Sequence, residues 1–301
     1  MFVEAPDGFS LRLAYRAPYD WAAIRAFLAK RAIPGVESAD PGDLAYRRTV
    51  SVMGRHGFLT VRPGDGCLHA ALRGIEAVEA PAIAGRLRRL FDCDADPAGI
   101  VDCLARDPVL APLVAVRPGL RLPGAWDPFE TGCRAILGQQ VSVAAAIGLA
   151  GKLVAAFGAP LAAPVDGLTH VFPEPALLVE ADIALALNMP RARGAAIRAL
   201  AAAVLADPEL FAPAESLEAA IARFTAIRGI GPWTAQYIAM RALKLPDALP
   251  VGDVGLLRAL ETGTGRPSPA ALLMRAEAWR PYRAYAAQHL WAADEAAVKG
   301  R

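Results

Sequence analysis

The chain of 301 residues has little excess charge and few cysteines, and each shortage excludes a class of protein. Its formal net charge is only +2, so no overall basic character marks a nucleic-acid-binding protein, and any DNA contact must come from a local patch. Cys67, Cys93, Cys103 and Cys133 lie far apart, without a Cys-x-x-Cys pair. This spacing predicts small buried side chains in a reducing compartment, and it argues against an iron–sulfur cluster or a disulfide framework.

Long apolar runs are also missing from the sequence. No uninterrupted apolar stretch reaches membrane-spanning length, and residues 1–6 lack the basic and apolar regions of a secretion signal. We therefore expect a cytoplasmic protein without a membrane partner. Because 55% of the residues are apolar, the chain can still build substantial cores across two or three domains.

Two kinds of hydrophobic periodicity divide the chain. Residues 9–16 alternate apolar and polar side chains, and strand-like runs follow at 46–53, 57–62 and 67–72. The pattern predicts a small antiparallel α+β domain over residues 1–92. From residue 93 onward helical periods dominate, interrupted by proline-rich breaks at 160–164 and 173–175, so we expect the remainder to be helical.

The segment from Arg228 to Tyr237 carries the strongest functional pattern. Gly229-Ile230-Gly231 lies between two predicted helices, where glycines permit left-handed dihedrals and let backbone N–H groups approach a phosphate closely. A tight joint in a helical protein would have the same pattern, but the surrounding helices favour a helix–hairpin–helix DNA clamp formed by Arg228, the hairpin and Thr234. In such clamps hairpin carbonyls can hold a monovalent cation, here those of Thr225, Ile227 and Ile230.

Three aromatic side chains and one carboxylate accompany this hairpin. Trp233 and Tyr237 are four residues apart and share a helical face, and Trp291 lies further along the chain. Core packing is the ordinary role of such rings, yet electron-rich faces also bind cationic purines. Asp253 precedes a predicted helix and is a suitable N-cap, a role compatible with stabilising a sugar cation in a cleft.

The sequence resembles the helix–hairpin–helix DNA glycosylases, and among them the AlkA-type DNA-3-methyladenine glycosylases. The similarity runs through nearly the whole chain in order, and it is carried by the hairpin together with residues 17–21, 117–124, 129–130, 134–139, 141–144 and 285–291.

The resemblance implies a fold, an activity and a set of roles. It implies an antiparallel α+β domain at 1–92 and a two-lobed, all-helical glycosylase core at 93–301. One lobe would span 113–230, and the other would combine 93–112 with 231–301. It further implies a monomeric enzyme that flips alkylated purines out of double-stranded DNA and releases them, leaving an abasic site. No cofactor would be required, and the hairpin could hold a structural Na⁺ or K⁺.

For individual residues, the family's catalytic aspartate falls on Asp253, and its base pocket falls on Trp233, Tyr237 and Trp291. Two positions depart from the pattern. The apolar side chain that fills the gap left by the flipped base corresponds here to Gln140, and Gly252 replaces a second acid before Asp253. The departures leave one carboxylate at the site and a polar wedge.

Two alternatives stay open at this point. A bifunctional glycosylase/lyase for oxidised bases needs a nucleophilic lysine just after the hairpin, where this chain has Trp233; the nearest lysine, Lys244, lies about three turns away. A non-catalytic DNA-binding protein could keep the hairpin alone, but Asp253 and the aromatic residues argue against a loss of chemistry.

Overall fold

Alternating apolar and polar side chains build an antiparallel sheet at the start of the chain. The computed structural model describes residues 2–5, 8–40, 42–263 and 265–299. The strands of this sheet are β1 (Phe2–Ala5), β2 (Gly8–Ala14), β3 (Glu37–Ser38), β4 (Tyr46–Val52), β5 (Arg55–Gly64) and β6 (Cys67–Arg73). They are hydrogen-bonded in the spatial order β1-β2-β6-β5-β4-β3, and each neighbouring pair is antiparallel.

Two helices cover one face of this sheet. Helix α1 (Trp21–Lys30) begins at Asp20, whose carboxylate accepts a hydrogen bond from the Ala23 amide at 2.8 Å, and helix α2 (Ala80–Leu90) follows the last strand. Their apolar stripes pack on inward-facing strand residues such as Phe9 to form the core of this domain. The predicted antiparallel α+β class is therefore confirmed.

The remaining elements are mainly helices. These are α3 (Pro97–Leu104), α4 (Leu110–Val116), α5 (Pro128–Leu137), α6 (Val143–Phe157), α7 (Pro175–Leu178), α8 (Ile183–Leu187), α9 (Arg191–Ala206), α10 (Leu217–Thr225), α11 (Pro232–Arg241), α12 (Val254–Ala259), α13 (Pro269–Ala276) and α14 (Arg283–Lys299). Asp127 caps α5 and Ser142 caps α6, and each side chain accepts a hydrogen bond from the amide three residues later.

The helices pack around two further hydrophobic cores. One contains residues of α5, α6, α8 and α9, and the other contains residues of α3, α4, α12, α13 and α14. Helix α11 joins them, because Ile238 is buried in the first core while Ala239 and Met240 are buried in the second. The cleft described below lies along this central helix. The exact domain limits stay predictions.

The sequence interpretation expected residues 93–301 to be entirely helical, and this expectation was wrong. Strands β7 (Pro160–Val165) and β8 (Leu168–His170) form a short antiparallel hairpin inside it. Its turn is Asp166-Gly167, with φ angles of +50° and +79°, as in the tight turns that asparagine, aspartate and glycine favour. The prolines at 160 and 164 had indicated a break, but a two-stranded hairpin has only edge strands, and edge strands accommodate proline.

A buried charge cluster fixes the first domain against the helical part. Arg48 of β4 donates to Glu130 of α5 at 2.6 Å, and both side chains are almost completely buried. Arg134 pairs with the same Glu130 and with Glu37, which accepts a hydrogen bond from the Tyr46 hydroxyl at 2.6 Å. Because breaking one member would leave an uncompensated buried charge, this cluster strongly constrains how the two parts meet.

Among the described residues, no helix combines the length and the hydrophobicity needed to cross a membrane.

Candidate active site

The hairpin between α10 and α11 depends on two glycines in different ways. Gly229 has a φ of +89°, and a Cβ at this position would lie 2.4 Å from the Cβ of Ala196, so both conformation and space require glycine. Gly231 has an ordinary φ of −87°, and no atom lies within 4 Å of the position that its Cβ would occupy. Its missing side chain therefore leaves open surface, which is where a ligand backbone could approach.

Backbone N–H groups at the start of α11 face this open surface. Pro232 occupies the first turn of the helix, and within the described part of the chain no acceptor pairs with the amides of Gly231, Trp233 or Thr234. Unpaired amides at a helix N-terminus attract anions such as phosphate. Arg228 is exposed beside them, whereas the Thr234 side chain is only 2% exposed, so only its amide remains available to DNA.

A glutamine that the sequence interpretation left without a role connects the hairpin to the α5–α6 loop. Gln139 donates from Nε2 to the Gly229 carbonyl and to the Thr234 hydroxyl, both at 3.0 Å, and its own carbonyl accepts from Arg193 at 2.8 Å. The next residue, Gln140, is exposed and has a φ of +55°. The predicted wedge is thus held in a left-handed conformation beside the clamp.

The three predicted pocket aromatics line one cleft. Trp233 and Tyr237 of α11 stack with ring centroids 5.4 Å apart and planes inclined by 13°, and Trp291 approaches from α14. Phe27 of α1, which the sequence interpretation did not single out, lines the same cleft. The cleft has a volume of about 760 Å³, which is large enough for a nucleobase and its sugar.

Asp253 lies in the wall of this cleft and is held by three donors. It caps α12 by accepting from the Leu256 amide at 3.1 Å, so the structural role expected of an aspartate at this position is present. Its carboxylate also accepts hydrogen bonds from two indole N–H groups, that of Trp291 at 2.8 Å and that of Trp233 at 3.3 Å. The cap and the cleft-lining role therefore coexist in one side chain.

Most charges that line the cleft are neutralised by partners. Lys30 and Arg31 pair with Glu295, and Arg258 pairs with Asp294 at 2.5 Å. The buried cluster around Glu130 closes another wall of the same cleft. Among the Asp, Glu, Lys and Arg side chains of the described residues that line this cleft, only Asp253 and Arg241 lack an ion-pair partner.

Arg241 is the second residue that the sequence interpretation missed. It lies four residues after Tyr237 on the same face of α11, and it is only 2% exposed. Its guanidinium donates to two neutral acceptors, the Pro123 carbonyl and the Gln288 side chain, both at 2.9 Å. Burial lowers the pKa of Arg241 to about 10, so the group stays cationic at neutral pH.

The predicted cation site at the hairpin has carbonyl oxygens that could coordinate a cation. The Ile227 carbonyl accepts the Ile230 amide at 3.1 Å, while the carbonyls of Thr225 and Ile230 have no hydrogen-bond partner in the described ranges. Neutral carbonyl oxygens suit a monovalent cation. No cluster of three His, Cys, Asp or Glu side chains suited to a metal ion occurs among the described residues.

The cleft, the hairpin and the sheet domain together define the helix–hairpin–helix glycosylase fold. A solved structure, the 3-methyladenine DNA-glycosylase from Archaeoglobus fulgidus, superimposes with a TM-score of 0.81 at 23% identity, over 95% of this chain and 98% of that one. Residues 10–127 match the family described as the AlkA N-terminal domain.

Two curated sequences extend the match beyond the fold. A Mycobacterium tuberculosis protein named "Probable bifunctional transcriptional activator/DNA repair enzyme AlkA" is 41% identical over 94% of this chain. The Escherichia coli (strain K12) protein named "DNA-3-methyladenine glycosylase 2" is 37% identical over 93% of this chain and 95% of its own length. The chain belongs to the AlkA family of DNA-3-methyladenine glycosylases. It spans only 56% of the length of the M. tuberculosis relative.

Proposed function

We propose that this protein is a monofunctional DNA glycosylase that removes alkylated purines from double-stranded DNA and leaves an abasic site. The observation that carries the proposal is Asp253, a carboxylate without an ion-pair partner among the described residues, held by Trp233 and Trp291 in an aromatic cleft beside a phosphate-binding hairpin. Family membership and the names of the relatives support the same substrate class. The protein would act as a monomer in the cytoplasm.

The aromatic cleft accounts for binding of a flipped base. A base inside a duplex cannot reach Asp253, so it must rotate out at a cost of a few kcal/mol, which is smallest for a damaged pair. The faces of Trp233, Tyr237 and Trp291 can stack on the extruded ring and attract a positively charged alkylated purine. Gln140, exposed on its loop, would fill the gap in the duplex and hydrogen-bond the orphaned base.

Asp253 would act on the sugar. An N-alkylated purine already carries positive charge and leaves readily, so protonation by a general acid is not needed. As the N-glycosidic bond breaks, positive charge develops at the deoxyribose, and a nearby carboxylate stabilises it. The indole N–H of Trp291, at 2.8 Å, fixes the orientation of this carboxylate without neutralising it as an arginine would.

The hairpin would hold the DNA backbone at a fixed distance from this chemistry. The amides of Gly231, Trp233 and Thr234 are free to bind a phosphate, and Arg228 adds a positive charge beside them. The carbonyls of Thr225, Ile227 and Ile230 would hold a Na⁺ or K⁺ ion, which would supply positive charge toward the same phosphate.

Lyase chemistry finds little support in the placement of the lysines. Lys244 is half-buried, donates to Asp92 at 2.7 Å and to the Leu122 carbonyl at 2.6 Å, and is not part of the cleft wall. Lys30 does line the cleft, but it pairs with Glu295 at 2.9 Å. A Schiff-base mechanism needs an unprotonated, unpaired lysine at the sugar.

The direct test is release of methylpurines from methylated duplex DNA under single-turnover conditions. We expect release by the unmodified protein, and we expect Asp253→Asn to lower its rate by about 10²–10³-fold because the stabilising charge is lost. Asparagine is also a good N-cap, so α12 should persist. Absence of release by the unmodified protein would refute the proposed activity, and an undiminished mutant would refute the role of Asp253.

Borohydride reduction during turnover distinguishes a glycosylase/lyase from a monofunctional glycosylase, because it traps the Schiff base that a lyase forms with DNA. We expect no covalent protein–DNA adduct. An adduct that disappears in Lys30→Gln would establish a lyase that uses the cleft lysine, and would contradict monofunctional chemistry.

A further inference from the structure

Arg241 introduces a fixed positive charge behind the aromatic cleft. Its guanidinium carbon lies 4.6 Å from the centroid of the Phe27 ring, 5.4 Å from that of Trp291 and 5.6 Å from that of Tyr237. Two of these three rings are the ones proposed to receive the base. The attraction that their faces offer to cations is therefore partly directed at a side chain of the protein itself.

Among the described residues, no carboxylate forms an ion pair with Arg241; Asp92 attracts its charge only at longer range and is itself paired with Lys244. The other basic side chains in the cleft wall form ion pairs, as described above, whereas the hydrogen-bond acceptors of Arg241 are neutral oxygens, those of Pro123, Gln288 and Tyr237. Its Nε is buried and has no hydrogen-bond partner. The positive charge is thus held in place by cation–π contacts and neutral acceptors, and its field extends into the cleft.

The position of Arg241 follows from the helix that builds the pocket. Trp233, Tyr237 and Arg241 are successive members of one i, i+4 row on α11, so the cation lies one turn beyond the stacked rings. It also occupies the last turn of the helix, where the backbone carbonyls favour positive charge. The same helix therefore supplies both the surface that attracts cationic bases and the charge that repels them.

We propose that Arg241 is a specificity-determining residue that reduces the preference of the cleft for cationic over neutral bases. A positively charged base stacked on Trp291 or Tyr237 is repelled by the guanidinium, while a neutral purine of the same size is not. At separations near 9 Å and an effective dielectric constant of about 20, this repulsion corresponds to a change in relative affinity on the order of tenfold. The residue thereby broadens the set of bases that the aromatic rings would otherwise select.

The experiment measures charge selectivity by binding, which does not depend on catalysis. Two size-matched aromatic probes, the cation 1-methylquinolinium and neutral quinoline at pH 8, are titrated into the full chain, and quenching of tryptophan fluorescence gives both dissociation constants. In Arg241→Met the ratio of the two constants should shift about tenfold toward the cation. Arg241→Lys, which keeps the charge, should retain the ratio of the unmodified protein.

Arg241→Gln provides a second neutral variant in case the methionine variant does not fold, because glutamine can still bind the Pro123 and Gln288 oxygens. The proposal is overturned if the neutral variants stay within twofold of the unmodified protein. It is equally overturned if the lysine variant shifts as far as the methionine variant, since packing rather than charge would then be responsible.

This inference rests on the proposed function only in taking the cleft as the base pocket. If methylated DNA yields no free base but the probe ratio shifts, the proposed activity fails and the role of the charge stands. If base is released and the ratio does not move, only the role of Arg241 fails.

Discussion

Asp107 and Asp253 have similar local surroundings, but within the described residues only Asp107 is paired with an arginine. Each precedes a helix, accepts a backbone amide near the start of that helix, and accepts an indole N–H group: Asp107 from Trp279 at 2.9 Å, Asp253 from Trp291 at 2.8 Å. Asp107 additionally binds Arg275 through two hydrogen bonds of 2.8 and 2.9 Å. Asp253 has no such partner among the described residues.

The presence or absence of a paired guanidinium, that of Arg275 for Asp107, separates the roles of the two carboxylates. Asp107 is 8% exposed, lies outside the cleft wall and has its charge neutralised by Arg275, so it holds α4 against α13. Asp253 has no cation paired with it among the described residues, and it lines the cleft where positive charge would develop on a substrate. An aspartate that accepts both an amide at the start of a helix and an indole N–H is therefore not sufficient evidence for a catalytic group; the absence of a neutralising cation and the presence of a cleft make the difference.

Removal of the Asp107 charge should produce the larger effect on stability. Burial raises its pKa, but hydrogen bonds from Arg275, Trp279 and two backbone amides outweigh burial and lower the pKa to about 2 from an ordinary value of 3.8. A lowered folded-state pKa stabilises the protein above the unfolded value, and this contribution disappears as the pH falls from about 4 to about 2. We expect Asp107→Asn to cost about 2 kcal/mol of unfolding free energy at pH 7.

Urea unfolding at pH 7 and at pH 3, with the unmodified protein as reference, measures this difference. The gap between the two proteins should narrow at the lower pH. Asp253→Asn is the matched control, and it should change the unfolding free energy by less than about 0.5 kcal/mol because asparagine replaces one good N-cap with another. Equal losses in the two variants would mean that the carboxylates are both structural.

The two indole donors provide the next comparison. In Trp291→Phe the ring remains in the cleft while Asp253 loses its shortest hydrogen bond, so we expect base release to slow about tenfold, as for loss of a hydrogen bond to a charged group. Trp279→Phe removes the equivalent donor from Asp107 and should leave the rate of release unchanged, although it destabilises the fold by about 1–3 kcal/mol. Similar loss of activity in both variants would contradict a specific role for Trp291.

Local sequence patterns predicted much of the candidate site. Contacts between residues far apart in the sequence could not be predicted from those patterns. The hairpin and the Trp233–Tyr237 stack depend on spacings of a few residues, so the sequence contains them directly. Asp253 and Trp291 are 38 residues apart. Their residue types suggested a shared pocket, no spacing fixed it, and the family resemblance then assigned both residues to it. Periodicity alone could not give Asp253 a role beyond the N-cap, because in the structure the capping position and the cleft-lining position coincide in this one side chain.

The missed features are those that depend on distant partners. Arg241 extends the i, i+4 row of Trp233 and Tyr237, yet its burial results from Phe27 in the first domain and Gln288 on α14. Gln139 lies within a stretch that carries the resemblance, but its contacts with Gly229 and Thr234 cross 90 residues or more of sequence. The sequence interpretation took the prolines at 160–164 as a break between helices, so it did not predict the β7–β8 hairpin, whose turn is Asp166-Gly167.

The smallest expected effect concerns the weaker of the two donors to Asp253. The Trp233 indole lies 3.3 Å from the carboxylate, compared with 2.8 Å for Trp291, and a longer hydrogen bond contributes less. Trp233→Phe keeps a ring that can stack on Tyr237, so we expect base release to fall only about two- to threefold. Tyr237→Phe is the control, because it preserves stacking and removes no donor to Asp253. If Trp233→Phe slowed release as much as Trp291→Phe, the Trp291 hydrogen bond would not be the more important of the two for positioning Asp253. The loss in Trp233→Phe would then have to come from altered stacking.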